Sequence, residues 1–94
     1  MSPMFRKKPV VIEAMQLDGH TVEVARWLTE HHQSFRSDTD PFDARQDILH
    51  IPTLEGEMTA SPGDWIISDV QGEFYPIKDS TFRETYEEVG DAAR

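Results

Sequence analysis

The sequence contains no cysteine, which excludes disulfide frameworks, thiolate metal sites and thiol catalysis. It also has no apolar run of the length that a transmembrane helix needs, about 18 residues or more. The N-terminal region lacks the apolar core of a signal peptide. We therefore expect neither secretion nor membrane insertion, and the missing cysteines favour a reducing cytoplasm.

The chain is short, with 94 residues, which is enough for a single small domain. Aromatic residues make up 10% of it, too large a share for a disordered chain. We expect one domain spanning 1–94 with an ordered core at 6–89. Because a domain of this size buries only about 60 to 65% of its unfolded surface, homo-oligomerisation remains an alternative to a monomer.

The net charge of −9 is unevenly distributed. Residues 1–36 carry five basic and four acidic residues, whereas residues 37–94 carry four basic and fourteen acidic ones. This acidic part opposes direct binding to nucleic-acid phosphates. Two interpretations remain: the acidic residues keep the protein soluble, or they form an array that mimics DNA on a basic groove of another protein.

Two segments near the N-terminus show clear periodicity. In residues 10–17 both the odd-numbered and the even-numbered positions are mostly apolar. This pattern predicts a central strand that is covered on both faces. Val24, Trp27 and Leu28 then follow the i, i+3, i+4 spacing of a helix from residue 21 to about residue 32. The helix is expected to pack one apolar stripe on a sheet.

The middle of the chain predicts short strands joined by turns. Residues 33–46 are polar and aperiodic, which predicts a mobile loop. Residues 47–53 and 58–60 form one predicted hairpin, and residues 65–67 and 73–77 form a second.

The C-terminal part predicts a single helical turn at 79–83 and a further extended segment at 85–89. The sequence has no second long helix that could form a parallel crossover. We therefore predict an α+β fold, in which a small twisted antiparallel sheet or half-open barrel of about five to six short strands packs with one amphipathic helix.

Several single residues have predicted structural roles. Gly63 follows a proline at the type II turn position that requires positive φ, and Gly72 suits the next hairpin turn. Pro52 has no N–H for a ladder, so it should lie at an edge or bulge. Trp27 and Trp65 are expected to be largely buried, on the helix stripe and at the start of a strand respectively.

No metal or cofactor site is predicted. The four histidines have no chelating spacing, and the adjacent His31 and His32 lie about 100 degrees apart on a helix. The acidic segment at 38–49 fails as a calcium loop, because Asp43 stands where glycine is required and Leu49 replaces the bidentate glutamate. The isolated glycines form no phosphate-binding loop.

Two groups of residues are candidates for binding. The densest set of candidates for acid–base chemistry or ligand contacts lies around the two C-terminal turns: Asp64, Glu73, Tyr75, Lys78 and Tyr86. No histidine or serine nucleophile accompanies this set, which argues against an enzyme. The only basic cluster could bind a phosphate or an acidic partner, or pair with the C-terminal glutamates: Arg6, Lys7 and Lys8.

Two blocks of the sequence form a specific combination. One is RKKPVVIEA at residues 6–14, and the other joins PGDWII at 62–67, GEFYPIK at 72–78, Phe82 and TYE at 85–87. Together they resemble a family of small uncharacterised bacteriophage and prophage proteins. The resemblance implies a phage origin and an intracellular host setting, and it carries no known activity with it.

These observations predict a small phage-encoded protein that is non-enzymatic, acts in the host cytoplasm and binds a host or phage protein. One alternative is a small-molecule or nucleotide binder, or an enzyme, with a pocket between helix and sheet. Another is a self-associating phage structural component, and a third is the acidic DNA mimic. No cofactor, no membrane contact and no direct nucleic-acid binding are expected.

Overall fold

A computed structural model of the chain describes residues 2–5, 10–19, 21–38 and 47–89. These residues form an α+β fold, as the sequence predicts. In chain order its elements are β1 (Glu13–Gln16), α1 (Thr21–Glu30), β2 (Arg36–Asp38), β3 (Ile48–Thr53), β4 (Gly56–Ala60), β5 (Trp65–Ser68), β6 (Phe74–Ile77) and α2 (Asp79–Thr85).

The strands form two antiparallel three-stranded sheets, ordered β1-β5-β6 and β2-β3-β4. The strands thus form two sheets where the sequence predicts one, and α2 adds a second helix. The reason lies in the long-range pairing of Glu13 with Ser68, which brings β1 to the second hairpin. The first hairpin is left outside that sheet and takes β2 as its third strand.

The predicted strand at 10–17 is shorter than expected and lies at an edge. Only Glu13–Gln16 forms β1, and β5 is its one partner among the strands that the structure describes. Val10 and Val11, which precede it, are 47% and 75% exposed. The apolar run indicates a strand correctly but not its burial, because the residues before β1 and Glu13 at its start are exposed or only partly covered.

Three other segments differ from the sequence prediction in length or type. Within the predicted loop at 33–46, Arg36–Asp38 forms β2, and residues 39–46 lie outside the described residues. The three residues of β2 are all exposed, so no hydrophobic alternation marks the strand. The helical turn continues as α2 to Thr85, and residues 86–89 form no strand.

The main core lies between α1 and the two sheets. Trp27 of α1 packs edge to face on Phe74 of β6, with ring centroids 5.2 Å apart. The buried members of the core come from α1, from β3 to β6 and from the residue after β1: Leu17, Val24, Leu28, Leu49, Ile51, Ala60, Ile66 and Phe74. One face of the β1-β5-β6 sheet is thus covered by α1.

The opposite face of the β1-β5-β6 sheet is covered by α2. The ring of Trp65 stacks on Phe82 of α2 at a centroid distance of 4.1 Å and an interplanar angle of 9°. Trp65 and Phe74 belong to opposite faces, since Trp65 pairs with Ile77 and Phe74 pairs with Ser68. This small sheet is therefore packed on both sides.

The two tryptophans are largely, though not completely, buried. The indole N–H of Trp27 donates to Glu13 Oε2 at 3.2 Å, and that of Trp65 donates to Asp79 Oδ1 at 2.8 Å. Each ring packs on the protein while its N–H reaches a surface carboxylate, which explains why burial stops short of completion.

The predicted turn residues are confirmed. Gly63 has φ +94° and Gly72 has φ +81°, values that a side chain with a Cβ rarely adopts. Pro52 pairs with Glu57 on the β4 side. On its other side it lies beyond the end of β2, whose register reaches only His50, so the missing N–H removes no ladder bond.

The C-terminus of α1 has a Schellman motif with a non-glycine residue at its left-handed position. The N–H of Gln33 donates to Leu28 O at 2.8 Å, and the N–H of His32 donates to Thr29 O at 3.0 Å. His32 has φ +59°. Glycine is the residue that usually occupies this position, because the left-handed conformation strains a Cβ.

We therefore expect His32→Gly to raise the free energy of unfolding by about 0.5 to 1 kcal/mol, because relief of strain exceeds the added entropy of the unfolded chain. In a domain of this size that corresponds to a melting temperature about 2 to 8 °C higher. Differential scanning calorimetry measures it. His31→Gly, one residue earlier, is the matched control and should destabilise. A His32→Gly protein that melts below wild type would contradict the inference that the left-handed conformation of His32 is strained.

Candidate functional site

Within the described residues, a half-open groove of about 550 Å³ lies between the ends of the two hairpins. We call it the hairpin groove. It is lined mainly by apolar atoms, and its lining comes from one residue beyond the end of α1, from the β3–β4 hairpin, from the β5–β6 turn and from the start of β6: Gln33, Pro52, Thr53, Leu54, Glu55, Met58, Gly72, Glu73, Phe74 and Tyr75.

The β3–β4 turn holds one wall of the hairpin groove in place. The hydroxyl of Thr53 donates to Gly56 O at 2.6 Å and accepts the N–H of Glu55 at 3.1 Å. These bonds close a tight turn and hold Leu54 at its tip, where Leu54 is 86% exposed. A large apolar side chain is thus displayed on a fixed turn.

The β5–β6 turn forms the other wall. The carboxylate of Asp69 accepts the N–H groups of Gln71 and Glu73 at 2.9 and 3.0 Å. The N–H of Gly72 also donates to the Asp69 carbonyl oxygen at 3.0 Å. A single aspartate therefore caps the turn and fixes Glu73 beside the hairpin groove.

The charges lining the hairpin groove are of one sign. Glu55 and Glu73 are its only charged residues among those described, and no lysine, arginine or histidine lines it. It lies in the acidic part of the chain, residues 37–94. The resulting potential favours a cationic ligand and opposes an anionic one.

The structure brings some of the predicted site residues together. Glu73 and Tyr75 both line the hairpin groove. Tyr86 packs on Phe82 with ring centroids 5.3 Å apart, and it lies close enough to Tyr75 to act on it. Burial raises the pKa of the Tyr75 hydroxyl above its ordinary value, and the neighbouring Tyr86 adds to the shift. Tyr75 is therefore neutral at physiological pH.

Asp64 and Lys78 form a separate pair that does not line the hairpin groove. The ammonium of Lys78 lies 3.4 Å from Asp64 Oδ2. The same carboxylate oxygen accepts the N–H of Ser61 at 2.9 Å, and Asp64 is buried. Asp64 therefore holds its turn closed. The third predicted group, Arg6, Lys7 and Lys8, lies outside the described residues.

A polar row on the outer face of the β2-β3-β4 sheet was not predicted from the sequence. His50 Nε2 lies 2.7 Å from Asp38 Oδ2, and His50 Nδ1 lies 3.2 Å from Thr59 Oγ1. The hydrogen bond from His50 outweighs desolvation and holds the pKa of Asp38 below its ordinary value. Arg36 bridges Asp38 and Glu57, at 3.3 Å from each.

This polar row contains a carboxylate, an imidazole and a hydroxyl, the groups that activate a hydroxyl nucleophile in some enzymes. None of its residues lines the hairpin groove. Both ring nitrogens of His50 have protein partners, and the described residues contain no cluster that could hold a metal ion. The sequence signal that could have located the row is the outward position of His50 in β3, with Thr59 opposite it in β4.

Comparisons with protein-family models, with curated proteins and with solved structures found no match to this chain. Within the described residues, no helix has the length and apolar character needed to cross a membrane. The phage resemblance accordingly stays a prediction from the sequence, and the hairpin groove is the geometric feature on which a functional proposal can rest.

Proposed function

We propose that this is a small phage-encoded, non-enzymatic protein that binds a host or phage protein in the host cytoplasm, and that the partner places a basic, apolar segment in the hairpin groove. The phage origin and the cytoplasmic setting rest on the sequence resemblance and the missing cysteines. The observation that carries the binding proposal is the hairpin groove itself, whose lining is apolar and whose only charges are negative.

The exposed apolar side chains support binding to a protein segment. Leu54 is 86% exposed and Met58 is 36% exposed, and both line the hairpin groove. Single exposed apolar residues are ordinary, but exposed apolar residues that share one concave site are typical of interaction surfaces. Methionine also adapts its shape to a partner at little energetic cost.

The charge pattern supports a basic partner. Glu55 and Glu73 lie on opposite hairpins, so a segment between them would have one carboxylate on each side. Lysine or arginine residues flanking an apolar centre would match that arrangement. The net charge of −9 would further increase the rate of encounter with a cationic partner at low salt.

An enzyme is a weaker explanation of the same geometry. The lining of the hairpin groove has glutamates and a tyrosine with a raised pKa, and it offers no nucleophile with a neighbouring base. Its volume also suits a small molecule, since ligand pockets span about 300 to 1,000 Å³. A small-molecule ligand is therefore the second candidate, and the experiment below separates the two.

The test is selection from a displayed library of random twelve-residue peptides on the immobilised protein. We expect enriched peptides to combine apolar residues with lysine or arginine. Leu54→Asp and Met58→Asp should each weaken the best peptide by about tenfold or more, which is about 1.4 kcal/mol. Val22→Asp is the matched control, because Val22 is 71% exposed on α1 and does not line the hairpin groove.

Three outcomes would overturn the proposal. One is enrichment of acidic peptides, and another is equal binding by the Leu54→Asp and Val22→Asp proteins. The third is a selection that enriches nothing, which would leave the small-molecule alternative as the explanation of the hairpin groove.

A further inference from the structure

The β1-β5-β6 sheet has an open edge at β1. Within the described residues, β1 pairs with β5 and no strand lies on its other side. An open edge presents unpaired N–H and C=O groups that are free to pair with another chain. The other edge of this sheet, β6, is blunted by Pro76, which has no N–H to offer.

The register shows which residues of β1 point their bonding groups outward. The N–H of Leu17 donates to Asp64 O at 2.8 Å, so Leu17 turns toward β5. In an antiparallel ladder the bonding direction alternates. The backbone N–H and C=O groups of Met15 and Glu13 therefore also point toward β5, whereas those of Ala14 and Gln16 point to the open side.

The residues before β1 extend the apolar character of this edge. Val10 and Val11 are 47% and 75% exposed, and Ile12 is half-buried. They are β-branched and lie directly before the strand, which is the composition of a segment that pairs readily. By the same alternation, continuing β1 backward would turn Ile12 and Val10 outward.

We propose that this edge binds the same edge of a second copy of the chain, with the two strands antiparallel and Ile12 at the twofold axis. The two sheets would then form one continuous six-stranded sheet, with β1 and its copy at the centre. The contact is isologous, so each strand meets an identical strand.

Self-complementarity is the reason for choosing a second copy as the occupant. With Ile12 at the axis, Ile12 faces its own copy and Val10 faces Ala14. Residues whose backbone groups point outward on one strand therefore lie opposite residues whose backbone groups point outward on the other. Centring the contact on Glu13 would place two carboxylates directly opposite each other, which is destabilising. The Ile12 register avoids this.

Cysteine crosslinking tests the contact and its register together. The chain has no cysteine of its own, so a single introduced thiol can form a disulfide between protein chains only with its copy. Hydrogen-bonded antiparallel residues have Cα atoms about 5.5 Å apart, within the disulfide range of about 4.4 to 6.8 Å. In a glutathione redox buffer we expect Ile12→Cys to form covalent dimers.

Two variants serve as controls for the crosslinking. Val22→Cys is exposed on α1 and reports random collision, and Glu13→Cys reports the other register. Ile12→Cys should crosslink at least tenfold faster than either one. Equal rates for Ile12→Cys and Val22→Cys would overturn the dimer, and faster crosslinking of Glu13→Cys would overturn the register.

Sedimentation equilibrium provides an independent measurement. The wild-type chain should sediment at twice its mass of 10.8 kDa. Ala14→Pro removes an N–H that points outward and leaves the β1–β5 bonds intact, so it should sediment as a folded monomer by circular dichroism. Ala14→Ser keeps the N–H and should remain dimeric. A wild-type protein that sediments as a monomer at about 100 µM, well above a micromolar Kd, would overturn the proposal.

The dimer and the proposed function can fail separately. Residues 10–16 do not line the hairpin groove, so the Ala14→Pro monomer should bind the selected peptides as tightly as wild type does. Loss of dimerisation with intact peptide binding is the expected result. Loss of both in a folded Ala14→Pro monomer would contradict the separation of the two surfaces and overturn the edge as an independent site.

Discussion

Phe74→Ala is expected to lower the free energy of unfolding by about 3 to 5 kcal/mol. Phe74 is only 5% exposed, and its ring packs on Trp27 at 5.2 Å and on His31 at 5.5 Å. Truncation would open a cavity between β6 and α1 that rigid neighbours cannot fill. A domain of this size has roughly 5 to 10 kcal/mol of stability in total, so the variant should be partly unfolded at 37 °C.

Urea denaturation followed by circular dichroism measures this loss for Phe74→Ala. Phe74→Leu keeps much of the apolar volume and should show a clearly smaller loss. A Phe74→Ala midpoint that matches wild type would contradict the placement of this ring in the core. A normal midpoint with altered binding would instead assign Phe74 to the hairpin groove, which it also lines.

Trp65→Ala should have the next largest effect, a loss of about 3 kcal/mol. The indole ring stacks on Phe82 at 4.1 Å and donates its N–H to Asp79 at 2.8 Å. Removing it would separate α2 from the sheet. Because Trp65 is not completely buried, the expected loss lies at the low end of the range for aromatic truncations.

Trp65→Phe separates the two contributions. It keeps an aromatic ring on Phe82 and loses the N–H, so it should cost about 1 kcal/mol, the typical value of one hydrogen bond.

The bond from Trp65, and then the contacts from Arg83, hold the pKa of Asp79 below its ordinary value. That contribution is present above the ordinary carboxyl pKa and is lost as the pH falls. Thermal melts at neutral and acidic pH should therefore show Trp65→Phe approaching wild type in acid. A constant difference between the two would contradict the Asp79 contact.

The two hairpins could be predicted from the sequence because their determinants are local. Gly56 and Gly72 lie at the two hairpin turns and have positive φ, and the flanking residues alternate. The position of β1 could not be predicted in the same way. Its apolar run is typical of strand, but whether it has one neighbour or two depends on residues more than fifty positions away. β2 is exposed throughout and is held by backbone pairing, so its residue pattern carries no signal.

The candidate site was predicted in part for similar reasons. Glu73 and Tyr75 were identified because polar and aromatic residues are dense near their turn, and both line the hairpin groove. Leu54 and Met58 were missed, since one or two apolar residues near a turn have no periodicity to mark them. The partners of His50 were missed because Asp38 belongs to β2, which the sequence did not indicate.

The pairing of β1 with β5 also determines how much chain entropy the fold must lose. Glu13 pairs with Ser68, so β1 and β5 close a loop that contains α1 and the whole β2-β3-β4 sheet. Each hairpin joins residues that are close in sequence and can form early. Pairing between distant residues first costs the entropy of closing a long loop, so it forms later. During synthesis the N-terminal segment emerges first and has no strand to pair with until β5 follows. In that interval both edges of β1 are open to pairing with another chain.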